Sequence, residues 1–406
     1  MRLDLDAAAS ADPVWEDAPR YWADLTRAVD ALPAPVAAVH LGALRHNALD
    51  LVVRAAGVPV RVATKSVRSR DILDAVLALP GYRGLLAYSL AEALWLAESH
   101  DDIVLGYPTA DRTALARLAG DPDAAAKITL MIDDEAQLDL IDAVASPAAR
   151  PEIRLAIDVD ASWRVPALGH VGVRRSPVHE PAEASRLARA VVARPGFRLV
   201  GVMMYEAQVA GVADAGSAAI RWMQRRSVAE LRERRAAVVA AVAAWAPLEF
   251  VNAGGTGSLE TSAADTAVTE VTAGSGLLAG HLFDGYRRFR PAPASAFAVD
   301  IVRMPTPGVV TASGGGWVAS GPAGSSRLPT PVWPRGLHLL PREGAGEVQT
   351  PVAGRGTASL RVGSRVWFRH AKSGELCEHA ERLQVVSEGR VVGEVPTYRG
   401  EGRSFA

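Results

Sequence analysis

The sequence predicts an α/β protein in which a closed (β/α)8 barrel of the TIM type is followed by a C-terminal antiparallel β domain. The first observation is that short apolar runs alternate with longer amphipathic segments from residue 34 to 290. Roughly eight or nine such units fit a closed parallel barrel better than an open doubly wound sheet, which periodicity alone leaves as an alternative. The second observation is a change near Pro291 to short β-type runs separated by glycine-rich turns, which is typical of an antiparallel β domain.

The predicted barrel strands are apolar runs that mostly precede a helical pattern. In chain order these runs cover residues 36–40, 60–64, 84–88, 102–107, 127–133, 152–160, 197–205, 248–255 and 267–274. The chain is therefore divided into an N-terminal extension over 1–33 that packs on the barrel or the β domain, a barrel over 34–290, and an all-β domain over 291–406.

The composition argues against several classes of function. The chain has 406 residues with 44 basic and 45 acidic side chains mixed along it, so neither nucleic acid nor an anionic membrane is expected as a partner. No uncharged apolar stretch reaches the ~18–20 residues that span a bilayer, and the acidic N-terminus lacks the pattern of a signal peptide. A single Cys provides no disulfide framework, which favours a reducing compartment. We therefore expect a cytoplasmic protein.

Only three of the basic residues are lysines, which limits any chemistry that needs a primary amine. Lys65 directly follows the run VRVAT, and in a parallel barrel the carboxyl ends of the strands line the active-site mouth. Lys127 begins the run KITLMID and is expected at the opposite face, while Lys372 lies in a polar loop of the β domain. Lys65 is therefore the candidate amine, with a solvated loop lysine as the alternative interpretation.

Two glycine-rich turns follow late strands of the predicted barrel. The segment NAGGTGS covers 252–258, and the next strand ends in AGSG, which covers 273–276. Consecutive small residues expose backbone N–H groups in a concave turn that suits a phosphate, and barrels commonly bind phosphate after their last two strands. A phosphate site late in a barrel, together with a strand-end lysine early in it, indicates a site for pyridoxal 5′-phosphate (PLP).

The same motifs make the chain similar to a known family. In order along the sequence they are PVAAVHLGALRHN, VATKS, VGVRRSP, VMMYEAQVAG, NAGGTGS and TEVTAGSG, followed by the β domain. With them the chain resembles the fold-type III PLP enzymes, which have an alanine racemase-like barrel, and within these the D-threonine aldolase and D-serine dehydratase group. The TKS and GGTGS elements together are the specific part of this resemblance.

The resemblance implies roles for individual residues. Lys65 would hold PLP as a Schiff base and act as a base at the α-carbon of the substrate, and Tyr205 would face the cofactor or substrate. Arg174 or Arg175 would approach the cofactor phenolate. Thr272 would stand beneath the pyridine nitrogen, where alanine racemases have an arginine, and a neutral residue there is compatible with aldol cleavage or β-elimination. The other cofactor-binding residues would be Asn252, Gly255, Thr256, Gly257, Gly274 and Ser275.

The β domain contains a candidate metal site. Cys377 and His379 are two residues apart, and alternate residues of a strand point the same way, so a thiolate and an imidazole could share a metal, zinc being favoured. From spacing alone, a buried Cys beside a surface His is the alternative. The resembling group has a C-terminal His-x-Asp or His-x-Cys metal pair in this stretch, whose divalent ion binds the substrate's β-hydroxyl. Here the order is Cys-x-His, and the expected ion is Zn or Mn.

Together these features predict a PLP-dependent lyase that acts on a β-hydroxy D-amino acid by retro-aldol cleavage or dehydration, with a divalent metal at the β-hydroxyl. A PLP-dependent racemase or decarboxylase on the same fold is the first alternative, and Tyr398 is the candidate second base of a racemase. A PLP-binding protein without turnover is the other alternative, which the large β domain disfavours. Because related enzymes are dimers, a homodimer with a small amino-acid substrate is expected.

Overall fold

The computed structural model describes residues 3–6, 13–166 and 169–405. The chain forms two compact units. The barrel unit comprises Leu51–Thr64, Pro80–Ala273 and the last described residue, Phe405. The sheet unit comprises the described residues up to Asp50 together with Lys65–Leu79 and Gly274–Ser404.

The first ten strands in chain order are β1 Val36–His40, β2 Val60–Ala63, β3 Tyr82–Ala87, β4 Ile103–Leu105, β5 Ile128–Ile132, β6 Ile153–Asp158, β7 Trp163–Val165, β8 Gly169–Val171, β9 Phe197–Met204 and β10 Phe250–Ala253. The later strands are β11 Glu270–Ala273, β12 Ser295–Thr306, β13 Val309–Ser313, β14 Thr330–Trp333, β15 His338–Leu339, β16 Gln349–Ala353, β17 Arg365–Arg369, β18 Arg382–Ser387 and β19 Arg390–Pro396.

The helices in chain order are α1 Ala18–Ala28, α2 Leu41–Arg54, α3 Arg70–Leu77, α4 Leu90–Leu96, α5 Arg112–Ala119, α6 Pro122–Lys127, α7 Glu135–Val144, α8 Pro181–Ala193, α9 Ala207–Ala210, α10 Ala218–Ala243, α11 Leu259–Ala263, α12 Ser275–Leu278 and α13 Glu375–His379. Among the described residues, none of these helices has the length and apolar composition needed to cross a bilayer.

The barrel unit confirms the predicted barrel. Eight parallel strands close on themselves in the order β10, β11, β2, β3, β4, β5, β6 and β9. Strands such as β5 are buried along their whole length, which is typical of parallel sheets covered by helices. At Gly201 an added Cβ would lie 2.4 Å from the Phe250 ring, so a glycine is required for β9 to accommodate this core residue. This close packing fixes β9 and β10, the two strands that precede Tyr205 and the glycine-rich turn.

The sheet unit confirms a separate, mostly antiparallel β domain. Its strands are ordered β15, β16, β13, β12, β1, β18 and β19, with β17 pairing with β12 and β14. The amphipathic helix α1 buries Tyr21, Trp22 and Leu25 in one apolar cluster with Trp367 of β17. Of the predicted N-terminal extension, residues 1, 2 and 7–12 lie outside the described residues.

One predicted barrel strand belongs to the sheet unit instead. The run Val36–His40 pairs antiparallel with β12 and parallel with β18, so it belongs to the sheet unit. The first barrel strand in the chain is therefore β2, which begins at Val60, whereas the predicted barrel began at residue 34. All five residues of β1 are buried, and a short run buried on both faces looks the same in a barrel as in the centre of an open sheet. Sequence periodicity alone therefore could not assign it to the correct sheet.

Candidate active site

The candidate site in the barrel unit lies at the carboxyl ends of the strands, where parallel barrels place their functional groups. Asp158 ends β6, and Tyr205 and Gly254 directly follow β9 and β10. Strand β2 ends at Ala63 and strand β11 at Ala273. Lys65 therefore lies two residues after β2, and Gly274 comes directly after β11. Because β2 pairs with β11 and β11 with β10, the predicted lysine and both glycine-rich turns continue from three adjacent strands.

The glycine-rich turn after β10 leaves no room for side chains. Gly254 has a φ of +86°, a left-handed conformation that favours glycine. An added Cβ at Gly255 would lie 2.9 Å from the Cβ of Ala210 and 3.1 Å from Cε2 of Tyr205. The Gly255 N–H donates to Oγ of Ser258 at 3.1 Å, which closes the turn. The predicted turn is therefore a compact one that requires glycine at its first positions.

Glu206 holds this turn through hydrogen bonds from its buried side. Its buried carboxylate accepts hydrogen bonds from Oγ of Ser258 at 2.7 Å, from Oγ of Ser262, and from the Gly254 N–H at 3.4 Å. It also forms an ion pair with Arg235 at 3.1 Å. Sequence reasoning assigned no role to Glu206. The available signal was a polar residue directly after a strand-end tyrosine.

Tyr205 and Arg175 lie together at the mouth of the barrel. The Arg175 guanidinium is 5.8 Å from the centre of the Tyr205 ring and 5.6 Å from that of Tyr107. Burial raises the pKa of Tyr205 to about 12, so its hydroxyl keeps its proton at neutral pH and can donate a hydrogen bond. The neighbouring Arg174 lines an open cavity. Of the two predicted arginines, Arg175 is therefore the one in contact with the tyrosine.

Thr272 belongs to a buried polar network inside the barrel. Nδ2 of Asn252 donates to Oε1 of Glu270 and to Oγ1 of Thr272, both at 2.8 Å, and Oγ1 of Thr272 donates to Oδ1 of Asn252 at 3.0 Å. Arg61 pairs with Glu270 at 2.7 Å and with Asp102 at 2.8 Å. Burial acts to lower the pKa of Arg61, but the two carboxylates outweigh it and keep the guanidinium charged. Sequence reasoning missed this network because Arg61 lies inside an otherwise apolar strand.

Asp158 is a second site residue that sequence reasoning missed. Burial, together with the nearby Asp133 carboxylate, raises the pKa of Asp158 to about 7, while Arg175 acts in the opposite direction. A carboxyl group that changes protonation near neutral pH at a barrel mouth is suited to proton transfer. The run EIRLAIDVD ends in two acidic residues, which was the available signal.

We expect the Asp158→Asn variant to be more stable than the wild type at about pH 8, on the order of 2–4 kcal/mol, with the difference falling to near zero at about pH 4. The pKa of Asp158 in the folded state lies above its ordinary value, so the folded state keeps a proton that the unfolded state has lost. As pH rises from about 4 to about 7, this difference lowers the free energy of unfolding of the wild type. Melting temperatures measured across this range test it, and a pH-independent difference would contradict it.

Asp160→Asn is the matched control. Burial acts to raise the pKa of Asp160, but hydrogen bonds from Ser162 and Arg164 outweigh it and hold the pKa below its ordinary value. The unfolded state therefore binds protons more readily than the folded state, and this carboxylate stabilises the fold at neutral pH. Asp160→Asn is expected to lower the melting temperature at about pH 7, opposite in sign to Asp158→Asn.

Within the sheet unit, the segment that begins at Lys65 packs against residues 374–378. The carbonyl oxygen of Lys65 accepts a hydrogen bond from Nε of Arg68 at 2.9 Å, and Arg68 forms an ion pair with Glu378. Gly374 has a φ of +100°, and an added Cβ there would lie 2.3 Å from the Lys65 carbonyl oxygen. The backbone of Lys65 is thus held closely, while its side chain is exposed.

The predicted metal ligands do not share a face. Cys377 and His379 lie on the short helix α13 and not on a strand, so residues two apart are rotated by about 200°. Sγ of Cys377 donates to the Val67 carbonyl at 3.2 Å, and burial raises the thiol pKa to about 12. The His379 ring stacks on Trp317 at 5.1 Å. Over the described ranges no group of three or more metal-ligating side chains occurs, so these residues do not fit a divalent ion.

Two of the segments that the resemblance assigns to PLP, those at Lys65 and Ser275, contact the same segment of the sheet unit. Oγ of Ser373 donates a hydrogen bond to the Ser275 carbonyl at 2.9 Å. Four residues later in the chain, Sγ of Cys377 donates to the Val67 carbonyl. Segment 373–377 therefore contacts both the turn that contains Ser275 and the segment that follows Lys65. In this arrangement Cys377 is a packing residue, which is the alternative that spacing alone left open.

The fold is a closed parallel (β/α)8 barrel with a compact glycine-rich turn at the carboxyl end of a strand, together with a mostly antiparallel β domain. The family can be named more closely. Residues 39–280 match the family model described as "Alanine racemase, N-terminal domain". The chain therefore belongs to this family, whose members are fold-type III PLP enzymes.

Solved structures share this fold at low sequence identity. D-threonine aldolase from Filomicrobium marinum is 19% identical with a TM-score of 0.78, over 91% of this chain and 96% of that one. D-threo-3-hydroxyaspartate dehydratase from Delftia sp. HT23 is 19% identical with a TM-score of 0.72, over 90% and 97%. Alanine racemase from Bacillus anthracis is 13% identical with a TM-score of 0.59, over 90% and 98%. No curated protein matches the sequence.

Proposed function

We propose that this chain is a PLP-dependent lyase that cleaves or dehydrates a β-hydroxy D-amino acid, with Lys65 as the attachment point of the cofactor. Two features support the proposal: the family has PLP as its cofactor, and Lys65 and both glycine-rich turns continue from adjacent barrel strands. When bound, PLP supplies an electron sink for the electron pair of a bond broken at the α-carbon. The amine of Lys65 would carry protons to and from that carbon.

The glycine-rich turn fits a phosphate. Thr256 and Gly257 follow the compact turn at Gly254 and Gly255, and Glu206 holds that turn from its buried side through Ser258. The Thr256 carbonyl accepts a hydrogen bond from Arg54, which is paired with Glu260 at 2.6 Å. In this proposal Gly255, Thr256 and Gly257 bind the phosphate together with Gly274 and Ser275.

Tyr205 and Arg175 would orient the reacting groups. With its pKa at about 12, Tyr205 serves as a hydrogen-bond donor, not as a base at neutral pH. The Arg175 guanidinium beside its ring provides the cation that the cofactor phenolate requires, so we assign that role to Arg175 over Arg174.

The neutral Thr272 is the observation that favours a lyase. Its hydroxyl is fixed by Asn252, and the nearby Arg61 is held by Glu270 and Asp102, so Arg61 would not take the position that alanine racemases fill with an arginine. Tyr398, the candidate second base of a racemase, is only 2% exposed inside the sheet unit, which disfavours that role. A homodimer and a cytoplasmic location stay predictions.

No step of this proposal passes through a metal. Because Cys377 and His379 do not converge, we expect prolonged treatment with EDTA followed by desalting to leave turnover unchanged within about twofold. Metal content of the purified protein, measured by mass spectrometry, should be far below one divalent ion per chain. A loss of turnover that Zn or Mn restores would restore the metal hypothesis.

The reaction is tested by incubating the PLP-loaded protein with D-threonine, D-serine and D-threo-3-hydroxyaspartate. Retro-aldol cleavage of D-threonine releases glycine and an aldehyde, whereas dehydration of any of them releases ammonia and a keto acid. We expect one of these product pairs from the D-substrates and neither from the L-enantiomers. Inactivity toward all three, with the cofactor bound, would overturn the lyase proposal. Inversion at the α-carbon without cleavage would favour the racemase instead.

A further inference from the structure

An open cavity of about 720 Å³ in the barrel unit is not explained by the proposed reaction. It lies beside the hairpin of β7 and β8, which follows the carboxyl end of β6. The charged and polar residues that line it include Asp160, Arg164, His170, Arg174, Arg175 and Ser176. A volume in this range accommodates a small organic molecule.

The charges lining the cavity are unbalanced. Its lining contains three guanidinium groups and one carboxylate, Asp160. That carboxylate accepts hydrogen bonds from the Ser162 N–H at 2.9 Å and Ser162 Oγ at 2.6 Å, and it pairs with Arg164 at 2.7 Å. Asp160 therefore neutralises Arg164. Within the lining, two positive charges have no acidic partner; outside it, the Asp158 carboxyl interacts electrostatically with Arg175.

These two charges belong to Arg174 and Arg175. Within the ranges that the structure describes, neither arginine forms an ion pair within 4.0 Å of a carboxylate. His170 adds no negative charge, because an imidazole side chain is neutral or positive; its ring nitrogens contact the Val173 carbonyl at 3.1 Å and Ser162 Oγ at 3.4 Å. A guanidinium binds a carboxylate through two parallel hydrogen bonds, so this lining is suited to an organic anion.

Arg175 connects the cavity to the candidate reaction centre. Its guanidinium lies against the rings of Tyr205 and Tyr107, and the same residue lines the cavity. Arg174, the preceding residue in the chain, is exposed and lines the cavity as well. Arg174 and Arg175 thus line one cavity, and Arg175 also lies against Tyr205.

We propose that this cavity binds a second carboxylate, carried on the side chain of the amino-acid substrate, and that Arg174 is the residue that selects it. The inference rests on the proposed function, because it assigns the side-chain class of the substrate of that same site. It predicts a preference for acidic β-hydroxy amino acids over those with an uncharged side chain of similar size.

The test compares D-aspartate with D-asparagine, which have nearly the same shape and differ in side-chain charge. Isothermal titration calorimetry on the purified full-length protein without PLP should show D-aspartate binding about tenfold more tightly at low salt. Arg174→Gln should remove this preference. Arg189→Gln, which replaces an exposed arginine on α8, is the matched control and should keep it. Equal affinities in the wild type, or no binding of either, would overturn the proposal.

Inorganic phosphate separates a carboxylate site from a cofactor-phosphate site. If phosphate binding depends on Arg174 while D-aspartate and D-asparagine bind alike, the cavity serves the cofactor and the proposal is wrong. Because these titrations need neither PLP nor turnover, their outcome is independent of the lyase assay. A protein that prefers D-aspartate through Arg174 but cleaves no substrate would contradict the proposed function and retain the acidic-ligand site.

Discussion

Replacement of Lys65 by alanine is expected to lower turnover by about 10³-fold or more and to abolish the visible absorption band of the PLP-loaded protein. The proposal gives this side chain two tasks, covalent attachment of the cofactor and proton transfer at the α-carbon, and no other lysine follows a barrel strand. Lys127 ends α6 and pairs with Asp123 at 2.7 Å, and Lys372 lies in the sheet unit.

Lys372→Ala is the control for this prediction. The side chain of Lys372 is exposed, so its removal should leave both the melting temperature and the absorption band of the PLP-loaded protein near those of the wild type. Spectra and steady-state kinetics on the three proteins suffice. A Lys65→Ala protein that keeps the band would show that PLP is bound elsewhere or without covalent attachment.

Glu206→Ala should cause the largest loss of stability, about 3–5 kcal/mol. The substitution leaves the buried Arg235 with Asp265 as its remaining acidic partner and removes the acceptor shared by Ser258 and Ser262. Because the same contacts hold the glycine-rich turn, the dissociation constant for PLP should rise by about tenfold or more. Urea unfolding and fluorescence titration with PLP measure the two effects.

Glu206→Gln separates the charge from the hydrogen bonds. The amide keeps an acceptor for the serines but loses the ion pair with Arg235, so we expect an intermediate loss of about 1–3 kcal/mol. Glu233→Ala, at an exposed position on α10, should change stability by no more than about 0.5 kcal/mol. A Glu206→Ala protein as stable as the wild type, with unchanged PLP affinity, would contradict the supporting role of this residue.

Periodicity predicted the barrel because parallel strands buried on both faces produce continuous apolar runs. The same property caused the error at Val36–His40, whose five buried residues fit either sheet. Helix α13 was misinterpreted for a different reason. Five residues amount to ~1.4 turns, too short for a period to appear, and the turn at Gly374 that precedes it is set by packing against Lys65.

Sequence reasoning could identify those site residues whose role follows from their position at a strand end. It could not identify residues whose role depends on contacts with distant parts of the chain. Lys65 and the glycine-rich turns could be found because strand ends and small residues are visible in the sequence. The buried role of Glu206 depends on serines 52 and 56 residues away, and that of Arg61 on a carboxylate 209 residues away. These partners are far apart in the sequence and come together only in the folded barrel.

The central claim is that PLP is attached to Lys65, and borohydride reduction of the PLP-loaded protein followed by peptide mapping tests it most directly. Reduction makes the attachment permanent, and with three lysines in the chain the modified peptide identifies the site without ambiguity. We predict one modification per chain, on the peptide that contains Lys65. Modification confined to the peptides of Lys127 or Lys372, or no modification at saturating PLP, would contradict the claim.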